Sequence, residues 1–423
     1  GSSGSAQLRA KGRGLMASFR EGTIDYARHN EETRALWDAF GRREAPRAPC
    51  VAGGSISNYF LNPDLNTRGL EFRQYFENVD VQIQAQLEFQ EWLRFHVLCD
   101  REMGVPADGW QLATDFQNSY EASWFGCEVV YHPGLIPDTL PLLTGEAREV
   151  YDLADPDPLK DGLVGRAVEF FDAMTERCTS LEHMRVPVKP PGAITGEGSD
   201  GPFDAAVKLR GSEVMLDMLV EPDCFHALMD YITRNIIRRI RALKEYRWSR
   251  VPGSSDAGKL KTPHFCLADD AVAMLSLEQY RDYVFPYHRR LLDELFEPGE
   301  LFVHLCGNAT HLFKFMVENL GARAFDTGFP VDHGALRRAL GPDVLIAGGP
   351  TVMRIKDGPA EAIERDVQAI CESGALEGGR FTFIAANNMA PRTPVEHVEA
   401  FWEAVKRHGA FTREAGEGSQ ERR

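Results

Sequence analysis

No run of apolar residues in this sequence approaches the roughly 20 needed to span a bilayer, and nothing near the start has the charged, apolar and small-residue order of a signal peptide. Cys-x-x-Cys pairs are missing too. The 8 cysteines are scattered without framework spacing, so reduced thiols in a cytoplasmic protein are expected rather than disulfides. A basic stripe is also absent: 47 Lys and Arg against 63 Asp and Glu leave a formal net charge of −16, and neither nucleic acid nor an anionic membrane is an expected partner. What is present is length. With 423 residues, 43% of them hydrophobic, the chain can bury a large core, either as two small domains or as one large α/β barrel. Gly1 to about Leu15 reads as a cloning remnant ahead of Met16 and is set aside, residues 16–45 as an N-terminal helical extension, and residues 413–423 as a polar tail.

From residue 46 onward, apolar runs closed by glycines or polar residues alternate with stretches of helical periodicity. Strands are expected at Pro46–Gly54, Trp110–Phe116, Val186–Val188, His264–Asp270, Leu301–Cys306, Ala322–Asp326, Asp343–Ala347 and Phe381–Ala385. Phe125–Tyr131 reads as an extra hairpin arm. Helices are expected over Leu70–Glu102, as a pair over Pro158–Met184, over Pro202–Leu219 and Pro222–Trp248, and after each later strand. Eight strand-then-helix units in a chain of this size indicate an α/β fold, a single (β/α)8 TIM-like barrel over residues 46–412 with insertions after the early strands.

Such a barrel places chemistry at the C-terminal ends of its strands. Those ends carry Asn118, Tyr120, Asp269, Asp270, His304, Cys306, Asp326, Asn387 and Asn388. In Leu301–Asn308 the strand period of two points His304 and Cys306 to one side, offering a nitrogen and a sulfur together as a zinc-type ligand pair. A lone His-x-Cys is more often a core histidine beside a small buried thiol; the polar company at the other strand ends favours the ligand reading. Asp269 and Asp270 read equally as substrate-orienting or acid/base groups and as caps of a neighbouring helix. Asn387 and Asn388 are candidates for anchoring a substrate carboxylate, and Asn118, Tyr120 and Glu121 are weaker substrate contacts.

Several segments together resemble the uroporphyrinogen decarboxylase superfamily, which holds the decarboxylase and zinc-dependent methyltransferases that move a methyl group between a corrinoid and a thiol. They are Arg47-Ala48-Pro49, Glu121-Ala122 with Phe125-Gly126-Cys127-Glu128-Val129, Gly201-Pro202-Phe203, Ala268-Asp269-Asp270, His304-Leu305-Cys306-Gly307 and Ala390-Pro391-Arg392-Thr393-Pro394. The His-x-Cys-Gly segment is similar to the methyltransferase branch. The stretch Ala52–Phe60 lacks the arginine that the decarboxylase branch places there to hold its polycarboxylate substrate. The resemblance therefore implies a zinc-dependent methyl or alkyl transferase. His304 and Cys306 would be metal ligands, Asp270 and Asp326 would act in catalysis, and Asn118, Tyr120, Asp269, Asn387 and Asn388 would contact a small-molecule substrate such as a thiol. A corrinoid-bound methyl donor and a corrinoid protein partner are implied with it. One departure stands out: Asn387 occupies the place of the family's distal cysteine ligand, leaving Asp326, a substrate atom or no metal at all as ways to complete the site. The runner-up is a metal-independent decarboxylase or lyase acting on a small carboxylated substrate.

Overall fold

Six parallel strands form where the first and the last five expected apolar runs lie: β1 (Cys50–Val51), β2 (Thr262–Ala268), β3 (Phe296–His304), β4 (Ala322–Asp326), β5 (Leu345–Gly348) and β6 (Phe381–Ile384). The computed structural model describes residues 24–411 apart from 252, 328, 329 and 386; the expected tag at 1–15 and tail at 413–423 lie outside the described residues. The chain divides into two units, the first built from the chain up to Gly54, Glu91–Gly104 and Pro330 onward, the second from Ser55–Gln90 and Val105–Phe329.

In the first unit β6 lies between β1 and β5, with Cys50 opposite Phe383 and Ile346 opposite Phe381. These strands read as near-continuous apolar runs because helices cover them, and Phe381, Phe383 and Phe401 are buried together. Asp100, 3% exposed, fastens β1: it accepts from the Cys50 N–H (2.7 Å), from Trp402 Nε1 (2.9 Å) and from both Arg47 guanidinium nitrogens (2.7 and 2.8 Å). A buried carboxylate needs such partners to offset its lost hydration.

In the second unit β3 lies between β2 and β4, with Ala268 opposite His304 and Val303 opposite Phe325. That register sets the functional end of the unit, since residues just beyond Ala268 come level with residues just beyond His304. The expected strands at Trp110–Phe116 and Val186–Val188 shorten and join a separate small sheet, in which Trp110–Gln111 pairs parallel with Val186–Lys189 and the latter antiparallel with Glu182–His183. The arm expected at Phe125–Tyr131 is a hairpin, Val129–Val130 against Asp138–Thr139.

The helices differ from expectation in several places, among them the one after β2, which runs as Leu277–Gln279, a π turn over Tyr280–Val284 and Phe285–Leu295. The expected helix Pro202–Leu219 breaks into Pro202–Arg210 and Glu213–Val220. Gly211 takes φ 67 there, and buried Arg210 pairs with Asp217 at 2.7 Å while donating to the carbonyls of Leu143 and Gly145. The pair expected over Pro158–Met184 is one helix, Gly162–Arg177, and the Leu70–Glu102 stretch holds two, Phe72–Glu77 and Val79–His96. No described helix is long and apolar enough to cross a membrane.

Candidate metal centre

His304 is the last residue of β3, and Cys306 follows two positions later, where the chain leaves the sheet. The turn is tight on its far side: a Cβ on Gly307 would lie 2.8 Å from the Cβ of Ala273. A glycine at 307 leaves room for the Asp270–Met274 turn to pack against this part of the chain. His304 Nε2 and Cys306 Sγ stand 3.5 Å apart. The other imidazole nitrogen, Nδ1, is held by Asp326 Oδ2, and Asp326 Oδ1 accepts the Leu305 N–H at 3.1 Å. Asp270 Oδ1 accepts the Cys306 N–H at 2.6 Å. One ligating atom each from Asp270, His304 and Cys306 lies within 4.8 Å of the other two.

The donor chemistry of this set fits a zinc-type cation. With Zn–S near 2.3 Å and Zn–N near 2.0–2.1 Å, two vertices of a tetrahedron are separated by about 3.6 Å, beside the 3.5 Å observed. A carboxylate on the far ring nitrogen fixes the tautomer and turns the remaining lone pair toward the thiol, the usual outer support of a metal-bound imidazole. The Asp326 hydrogen bond and then that of Cys306 push the His304 imidazole up to about 11 against the cost of burial.

The other expected site residues are placed as follows. Asp326 joins the cluster, but both its oxygens are spent on His304 and Leu305. Asp269 takes the geometry of the capping alternative. It is 0% exposed, accepts the N–H groups of Phe203 (2.9 Å) and Asp204 (2.8 Å) at the start of the helix Pro202–Arg210, and takes His288 Nε2 at 2.9 Å. His288 in turn meets Tyr280 Oη at 3.0 Å through Nδ1. Asp269 is a helix cap inside the core with no surface for a ligand. Gly201 makes the cap possible, at φ 105 with a hypothetical Cβ 2.3 Å from the Ala268 carbonyl oxygen. Asn118 is exposed and its carbonyl accepts from Lys208 Nζ at 2.7 Å. Tyr120 is buried, with its hydroxyl 3.5 Å from Asp200. Asn387 and Asn388 belong to the first unit, where the Asn388 N–H donates to Asn387 Oδ1 at 2.7 Å and Asn388 is exposed.

Sequence reading missed the groups around Asp204. Lys208 Nζ reaches Asp200 at 3.2 Å and Asp204 at 4.0 Å, and the Ala271 N–H donates to Asp204 Oδ1 at 3.1 Å. Burial and then Asp269 push Asp204 up to about 7; burial and then Glu121 push Asp200 up to about 6. Behind them Glu121, 1% exposed, pairs with Arg239, 0% exposed, at 2.6 Å, and accepts from the Asp200 N–H. The i, i+4 spacing of Asp204 and Lys208 after Gly201-Pro202 was the available signal.

Comparison with known proteins agrees with this architecture. The uroporphyrinogen decarboxylase (URO-D) family matches residues 259–408. A methylated-thiol–coenzyme M methyltransferase of Methanosarcina mazei is 26% identical over 301 residues, covering 69% of this chain and 71% of its own length. A uroporphyrinogen decarboxylase of Citrifermentans bemidjiense is 27% identical over 181 residues, covering 42% of this chain and 48% of that enzyme. Among solved structures, a methyltransferase from Methanosarcina mazei matches with a TM-score of 0.58 at 16% identity, covering 88% of this chain and 97% of that one, a likeness of fold. Residues 259–408 are thus a URO-D family domain, and the chain fits the uroporphyrinogen decarboxylase superfamily near its methyltransferase branch.

Proposed function

We propose that the protein is a zinc-dependent methyl or alkyl transferase whose acceptor is a thiol or another small nucleophile. The observation that carries this reading is the His304 Nε2 to Cys306 Sγ separation of 3.5 Å with Asp326 seated on the other ring nitrogen. Relationship to a thiol methyltransferase supports it. In this reading His304 and Cys306 hold the metal. When bound, zinc supplies a Lewis acid that keeps a substrate thiol deprotonated at neutral pH.

The chain's own groups do the rest. Asp326 accepts from Nδ1–H and keeps that proton on Nδ1, so Nε2 is the nitrogen His304 would offer to the metal. The Cys306 N–H is fixed on Asp270, which holds the thiol on the same side as the imidazole. In the reaction the acceptor thiol first loses its proton to solvent. Its sulfur then forms the new bond to the methyl carbon, while the carbon-to-donor bond breaks and its electron pair leaves with the donor. A corrinoid-bound methyl group is the donor class we propose, with a corrinoid protein as carrier and the cytoplasm as the location.

The test is elemental analysis of chelator-washed, zinc-reloaded protein beside methyl transfer from methylcobalamin to small thiols. One zinc per chain and measurable thioether formation are expected, both lost in His304→Ala and Cys306→Ser proteins that keep their circular dichroism. If folded His304→Ala and Cys306→Ser proteins retain full activity, the reading fails. A metal-free protein active on carboxylated substrates would favour the decarboxylase side of the superfamily, to which 27% identity over part of the chain also relates it.

A further inference from the structure

We propose that Asp270 is the third protein ligand, so that the metal is held by one nitrogen, one sulfur and one oxygen. This inference rests on the metal reading of His304 and Cys306 and goes beyond it. By its resemblance to the methyltransferase branch, the segment before Thr393-Pro394 would carry a second thiolate where this chain has Asn387, and an amide is a poor zinc ligand. Among the described residues, the group of three or more metal-capable side chains that meets at the His304 and Cys306 end of the sheet is completed by Asp270.

The two nearby carboxylates are not equivalent. Asp326 commits Oδ2 to His304 Nδ1 and Oδ1 to the Leu305 N–H, on the side of the ring away from the thiol. Asp270 commits only Oδ1, to the Cys306 N–H at 2.6 Å, which places its carboxyl beside the sulfur. One of its oxygens lies within 4.8 Å of Sγ and of a ring nitrogen of His304, beside the roughly 3.3–3.8 Å vertex spacing of a zinc tetrahedron.

Asp270 is also held from both sides. Asp269 before it is locked by three hydrogen bonds into the helix cap, and the Ala271 N–H after it is tied to Asp204. A ligand whose neighbours cannot move is preorganised, and little entropy remains to be lost when metal arrives. Charge is balanced as well: one thiolate and one carboxylate neutralise a divalent cation as two thiolates would. The donor set is harder, however, so it admits cobalt and iron alongside zinc more readily than a two-thiolate site, and it leaves a fourth position for the acceptor sulfur.

The test is a Co2+ titration of chelator-stripped full-length protein, with visible d–d bands reporting coordination number and the near-ultraviolet thiolate-to-cobalt band counting sulfurs. Asp270→Asn is the informative variant, because its amide oxygen still accepts the Cys306 N–H while the anionic donor is gone. Wild type should bind one cobalt with the charge-transfer intensity of one thiolate. Asp270→Asn should bind it about 100-fold more weakly or worse, beyond the roughly 10–100-fold typical of an outer-shell change, with altered d–d bands and unchanged circular dichroism. Wild-type affinity and spectrum in Asp270→Asn, with cobalt lost in Cys306→Ser, would overturn Asp270 as a ligand and leave the two-ligand reading standing. Two-thiolate intensity would overturn it by admitting a second sulfur. No cobalt bound by wild type would overturn both readings.

Discussion

Asp269→Asn separates a structural carboxylate from a substrate contact. The side chain has no exposed surface and accepts from two backbone N–H groups and from His288. An asparagine has one acceptor oxygen, so either the Phe203 or the Asp204 N–H must face an NH2 group. An orphaned buried donor costs about 1–3 kcal/mol, and a lost N-terminal cap costs about 0.5–2 kcal/mol. These overlap, and about 2–4 kcal/mol is expected. For a unit of this size that corresponds to a fall of about 5–10 °C in its melting transition, followed by calorimetry or circular dichroism at one scan rate against wild type. Because Asp270 is the next residue, cobalt affinity should fall with it. An unchanged melting temperature together with an altered KM would refute the argument and return Asp269 to the substrate.

Asp326→Asn should weaken metal binding by about 10–100-fold while leaving the number of bound metals and thiolates unchanged, as a Co2+ titration would show. Glu121→Ala should destabilise the second unit by about 3–5 kcal/mol, since it strands the fully buried Arg239 guanidinium; denaturant or thermal unfolding reports it, and a loss below about 1 kcal/mol would contradict the burial argument. Asp204 supplies a pH test. Its folded value of about 7 lies above the ordinary carboxylate value, so the native state holds the proton more tightly than the unfolded chain. Its contribution to stability therefore falls as pH rises from the unfolded value, about 3.9, through the folded one. Metal-free Asp204→Asn should melt higher than wild type at pH 8 and lose that advantage near pH 5; the opposite trend would show that Lys208 outweighs burial.

His304 was legible in the sequence because the apolar run Leu301–Val303 carries β3 up to it; Cys306 was expected on the same strand and instead reaches the imidazole from just beyond its end. Asp269 and Asp270 were not separable. They are consecutive, their chemistry is identical, and which one faces inward depends on how the chain leaves β2, decided by a helix some sixty residues earlier whose start needs a cap. The break at Gly211 was hidden for a similar reason: apolar spacing runs on through both short helices, and only the buried Arg210 to Asp217 pair shows why the turn is kept. Trp110–Phe116 looked like a full stave because its composition favours strand, yet the paired strand covers Trp110 and Gln111 alone. Propensity names candidate strands, and neighbours decide their length.

The adjacency of Asp269 and Asp270 also makes β2 intolerant of editing by one residue. Deleting a single codon between Thr262 and Ala268 would bring Asp270 to the cap's place and Ala271 to the proposed ligand's, while an insertion would bring Asp269 to the ligand's place and Ala268 to the cap's. The hairpin arm around Asp138–Thr139, exposed at Leu135, Ile136 and Leu140, has no such bookkeeping. Changes of loop length are therefore better borne along the arm than in β2, whose spacing sets both carboxylates.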